Sequence, residues 1–72
     1  MIVRFCTFSK DAASRIILQK VESSELIIPR VREFVYINND QIVGTFVVAK
    51  ITHNIRSANQ NPSIDILCER VN

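Results

Sequence analysis

The sequence predicts an all-β domain, a small five-stranded antiparallel barrel or rolled sheet. Three observations carry that prediction. The apolar fraction is 47%, dominated by Ile and Val, with a single glycine, and a stiff χ1 costs less on a pleated surface than in a helix. Short alternating runs recur along the chain between turn-forming residues. The stretch from Pro29 to Ile55 sets two β-type runs on either side of Asn38-Asn39-Asp40, a strong hairpin signal.

The first strand is Ile2 to Phe8. Ile2, Arg4, Cys6 and Phe8 share one face, and Val3, Phe5 and Thr7 the other. Both faces are partly apolar, so the strand is read as mostly buried. Ser9-Lys10-Asp11 ends it.

The segment from Ala12 to Glu22 admits two readings. Asp11 could cap a helix whose Ala13, Ile17 and Val21 repeat every fourth residue. The compact run Ile16-Ile17-Leu18 favours a second strand, Arg15 to Val21, hairpinned to the first. The helical alternative over 12–22 would make the fold α+β. Next come Leu26-Ile27-Ile28-Pro29, an extended connection in which Pro29 withholds a ladder donor.

The third strand is read as Val31 to Ile37, with Val31, Val35 and Ile37 on its core face and Arg32, Phe34 and Tyr36 on the other. The fourth runs from Gln41 to about His53 and is apolar on both sides, as expected of a central strand that bends, with Gly44 as the expected kink. Arg56 to Ser63 reads as a long polar loop. The fifth strand is Ile64 to Val71.

Seventy-two residues make one domain, and a chain this short buries only ~60% of its unfolded surface. Covering a sheet edge or face through a homodimer would help. The net charge of +2, with alternating signs and no basic block, is too weak a footprint to favour nucleic acid. Cys6 and Cys68 lack any CxxC or ligand cluster and read as reduced core thiols of a cytoplasmic protein. Arg4 follows Met1-Ile2-Val3 directly, which leaves no apolar signal core there, and no apolar run approaches the ~18 residues of a membrane span.

The candidate site residues are Arg30, Arg32, Tyr36, Lys50, His53 and Arg56. Arg32, Phe34 and Tyr36 form an Arg-x-Phe-x-Tyr pattern on one strand face, and small barrels do bind with aromatics and basic rims. His53 is the only histidine and has no partner motif, so a hydrogen-bonded structural role is expected. No carboxylate pair, phosphate loop or nucleophile elbow is present. The expectation is a non-catalytic module without metal or cofactor. It would bind protein, itself included, with a small nucleic-acid-binding regulator as the alternative.

Pro29, Arg30, Val31, Glu33 and Val35, followed by Val48, Ile51 and His53, carry a resemblance. This third of the chain resembles small uncharacterised bacterial proteins of SH3-like barrel type. There a Pro-Arg-Val-Gly-Glu/Asp start leads into a Val-rich strand, a turn, and a second strand ending before a His. The resemblance implies an SH3-like barrel and no catalytic motif. Arg32 departs from it, standing where the pattern has Gly.

Overall fold

Strands form where the Ile and Val runs lie, as the conformational argument requires. The computed structural model describes residues 2–8, 15–22, 28–55 and 62–71. They hold β1 (Ile2–Phe8), β2 (Arg15–Glu22), β3 (Phe34–Asn38), β4 (Val43–Asn54) and β5 (Ser63–Arg70), with no helix among the described residues. The strand reading of Arg15–Glu22 therefore stands over the helical one. The Asp11 cap and the start of the extended connection, Leu26-Ile27, lie outside the described residues.

The strands make one sheet in the order β2-β1-β5-β4-β3, curled into a half-barrel. The sheet is mixed rather than purely antiparallel. β1–β2, β3–β4 and β4–β5 pair antiparallel, while β1 and β5 pair parallel from Ile2↔Ser63 to Cys6↔Leu67. The reason is parity. The first and last of five alternating strands point the same way, so a curl that brings them together must pair them in parallel.

The inner face carries the core: Val3 and Phe5 of β1, Leu18 of β2, Ile37 of β3, Phe46 and Val48 of β4, and Ile64, Ile66 and Cys68 of β5. Val35, Ile42 and Ile51 pack against it from the edges. Val31 is not part of it. That residue is 48% exposed and sits in a turn, so β3 begins three residues later than its alternation suggested. The turn closes with the Glu33 N–H donating to the Arg30 carbonyl at 3.1 Å. Arg32 occupies its third position with φ 79°, the left-handed conformation that favours glycine. This is the position where the resembling pattern has Gly.

β4 bends at Ala49, not at Gly44. Val48 faces Cys68 and Lys50 faces Leu67, which leaves Ala49 as the extra residue of a bulge. Gly44 pairs regularly with Ile37 and has no positive φ. Its missing side chain serves another purpose. A Cβ there would come within 2.9 Å of the Arg70 guanidinium. That group lies 5.4 Å from the centre of the Phe46 ring and donates to the Val43 carbonyl at 2.9 Å. β2 carries a second bulge, at Leu18, because Phe5 faces Gln19 while Cys6 faces Ile17.

The turn between β3 and β4 is built on Asn39. Its Oδ1 accepts from the N–H groups of Gln41 and Ile42, and its N–H donates to the Ile42 carbonyl. Its amide nitrogen reaches across to β2, donating to the Leu18 carbonyl at 3.1 Å and to Gln19 Oε1 at 2.7 Å.

Candidate functional site

Period-2 alternation divides every strand between the core and an outer face, and that outer face has two unlike halves. Towards the start of β1 it is polar and internally satisfied. Arg4 Nε donates to Asp65 Oδ1 at 2.7 Å, and Asn54 Nδ2 donates to Asp65 Oδ2 at 3.0 Å. Ser63 Oγ accepts from Arg4 at 3.3 Å and from Asn54 at 3.1 Å. Asp65 and Ser63 are buried on this face although it lies opposite the core. The register explains the cluster, since Arg4 and Thr52 flank Asp65 while Ile2 and Asn54 flank Ser63. Arg4 and Asp65 sit in alternating runs, but nothing local says that the two would meet.

The other half, on β3, β4 and the end of β5, is apolar and open. Phe34 is 69% exposed and Tyr36 65%. Phe34 stands opposite Val47, which stands opposite Glu69. Tyr36 stands opposite Thr45, whose carbonyl accepts from the Val71 N–H at 2.9 Å. Val43 and Val71 are each about half exposed and extend the same surface. The Arg-x-Phe-x-Tyr face is therefore presented to solvent and not folded into a second packed layer.

The structure gathers some of the candidate residues here and leaves others apart. Arg30 and Arg32 are exposed in the turn that leads into β3. The Arg32 N–H donates to the Val48 carbonyl at 2.8 Å, which ties that turn to β4. Tyr36 is at the centre of the face. Lys50 is exposed one step past the Ala49 bulge, on the outer side opposite Leu67. His53 alternates to the other side of β4, opposite Ile64, and is exposed. Arg56 lies outside the described residues. Sequence reasoning set Phe34 with Arg32 and Tyr36 opposite the core face and overlooked Val43, Val47, Glu69 and Val71 as its surface neighbours. Their outward phase in β4 and β5 was the available signal.

The thiols are enclosed. Cys6 and Cys68 are both free and buried, and each points its Sγ at the Ile66 carbonyl, at 3.6 and 3.7 Å. Burial, with the neighbouring Cys6 adding to it, pushes the Cys68 thiol up to about 11. Such a group stays protonated and unreactive near neutrality.

Two clefts open between the strands. One, of about 610 Å³, lies where β1 and β5 end and reaches Leu18, Phe46 and Cys68 of the core. The other, of about 500 Å³, lies between the sheet's two edge strands, with Gln19 and Val21 on one side and Val35 and Ile37 on the other. Among the described residues no group of three or more His, Cys, Asp or Glu side chains is placed to hold a metal ion, and no helix is long and apolar enough to cross a membrane.

Comparisons with protein-family models, curated proteins and solved structures find no match for this chain.

Proposed function

We propose that this chain is a non-catalytic binding module that works through protein–protein contacts on the outer face of β3 and β4. One observation carries the reading. Two neighbouring aromatic side chains, Phe34 and Tyr36, stand about two-thirds exposed on the β3–β4 hairpin, with Val43, Val47 and Val71 around them. Exposed aromatics at the centre of an apolar patch are the usual anchors of protein interfaces. Arg32 and Lys50 supply a charged rim. The enclosed thiols fit a role without nucleophilic chemistry, and free cysteines fit the reducing cytoplasm.

The nucleic-acid alternative draws on the same Arg32, Lys50, Phe34 and Tyr36. Glu69 counts against it, because its carboxylate lies in the same cross-strand row as Phe34 and would repel a phosphate backbone. We also read the barrel as SH3-like in the sense of the Pro29–His53 resemblance. The glycine-type backbone at Arg32, where that pattern has Gly, supports this.

The test is capture from host lysate by the wild type and by a Phe34→Asp/Tyr36→Asp variant, with and without nuclease. A protein retained by the wild type, indifferent to nuclease and lost with the variant, is the expected result. Equal capture by both overturns the assignment of the face, and loss on nuclease treatment transfers it to nucleic acid.

A further inference from the structure

We infer that the partner for this face is a second copy of the same chain, docked face to face. The inference rests on the proposed binding role of the Phe34–Tyr36 surface and identifies its occupant.

The argument is one of self-complementarity in the register. Two cross-strand rows cross the face: Phe34–Val47–Glu69 and Tyr36–Thr45–Val71. A twofold axis running along β4 lays β3 of one copy over β5 of the other. Tyr36 then meets the second copy's Val71, so aromatic covers aliphatic. Glu69 meets the second copy's Phe34, at the start of β3 and next to the turn that carries Arg32. The single acid of the two rows thus lands beside a base, twice over, by the symmetry of an isologous contact. A surface carrying an acid on one side and a base on the other is matched by itself better than by a partner of uniform charge.

The area is consistent with a reversible dimer. At roughly 150–250 Å² per aromatic side chain, the exposed parts of Phe34 and Tyr36 amount to about 200–330 Å². Val43, Val71 and the partly exposed Val47 and Thr45 bring the face to the order of 450 Å² per copy, in the range of a functional surface patch. Two such faces bury roughly 900 Å², which is the low end for specific association and implies exchange rather than an obligate dimer. The polar half of the outer face offers no competing surface, because Arg4, Asp65, Ser63 and Asn54 already satisfy one another.

The test is sedimentation equilibrium of the full chain over a wide concentration range. The expected result is a mass rising from 8.2 kDa towards twice that value. Phe34→Asp should weaken the association by about thirtyfold or more, as loss of an aromatic anchor does. Lys20→Asp, an exposed change outside the two rows, should leave it unaltered. Glu69→Arg and Arg32→Glu should each be monomeric alone and associate when mixed, because the mixed dimer restores both opposite-charge contacts. Circular dichroism confirms that each variant is folded; for any that is not, the remaining charge variant gives the reading. A wild type that stays monomeric up to about 1 mM, or a dimer indifferent to both Phe34→Asp and Glu69→Arg, overturns the inference. If the chain is monomeric but still captures a different protein through Phe34 and Tyr36, the binding role stands and only the second copy is excluded.

Discussion

The side-chain amide of Asn39 donates to the main-chain carbonyl of Leu18 at 3.1 Å and so fastens one edge of the sheet to the other. β2 and β3 are the outermost strands and share no ladder. The bulge at Leu18 interrupts the β1–β2 register at that same residue. A turn residue of one hairpin thus fastens the curl at a bulge in the other.

Replacing Asn39 separates its two tasks. Asn39→Ala removes both the acceptor that holds Gln41 and Ile42 and the donor to Leu18 and Gln19. It should cost about 2–3 kcal/mol in a denaturant titration. Asn39→Asp keeps the turn acceptor and loses only the cross-edge donor, so it should cost about 1 kcal/mol. Equal losses from both would show that the turn acceptor adds nothing to the link, and no loss from Asn39→Asp would show that the link to β2 contributes nothing.

Arg32 pays for its left-handed backbone at φ 79°. Glycine relieves a strain of about 1–2 kcal/mol but adds about 0.5–1 kcal/mol of unfolded-state entropy. Arg32→Gly should therefore stabilise the domain by about 0.5–1 kcal/mol in urea. Arg32→Ala, which keeps the strain, should be close to neutral. If Arg32→Gly destabilises, the arginine side chain makes a contact that outweighs the backbone term.

Asp65 is enclosed by Arg4 and Asn54 on the outer face. Asp65→Ala removes the acceptor of Arg4 Nε and one of the two acceptors of Asn54 Nδ2, and the expected loss is about 2–3 kcal/mol. Arg4 is partly exposed and can rehydrate, so Arg4→Met should cost less than Asp65→Ala. A thermal melt ranking the two in the opposite order would contradict this account of the cluster.

Phe46 is fully buried beneath the Arg70 guanidinium. Phe46→Ala should cost about 3–5 kcal/mol, enough to unfold much of a domain this small. Ile66→Val, also in the core, should cost only about 1 kcal/mol and remain cooperative. Circular dichroism in urea reads both.

Cys68 makes stability depend on pH at the alkaline end. Burial and the neighbouring Cys6 raise its thiol from 9.0 to about 11. The unfolded chain therefore loses this proton first. The stabilising contribution is complete below pH 9.0 and declines as pH rises towards about 11. Cys68→Ala should flatten that part of the profile while lowering stability at pH 7. An unchanged alkaline slope in the variant would assign the dependence to another group.

Several features were legible because they are local. The alternation of Ile2–Phe8 marked a mostly buried strand with Val3 and Phe5 on one face, and the β-branched run at Ile16–Leu18 favoured strand over helix. Asn38-Asn39-Asp40 marked the hairpin turn because Asn side chains hydrogen-bond their own backbone. Gly44 misled because a glycine in a strand has two uses, and here it makes room for Arg70 while Ala49 supplies the bend. Phe34 was placed opposite the core face, but period 2 says only that a residue changes sides. It does not say which side is covered.

The sequence by itself determined that the chain would form short strands, where most of them would lie and which residues would share a face, since strand propensity and side-chain alternation depend only on near neighbours. Only the tertiary structure decided the parallel β1–β5 pair, the meeting of Arg4 with Asp65, the Asn39–Leu18 link and the exposure of Phe34 and Tyr36. Each depends on how far the sheet curls and where its bulges shift the phase, and those are set by contacts between residues distant in the chain.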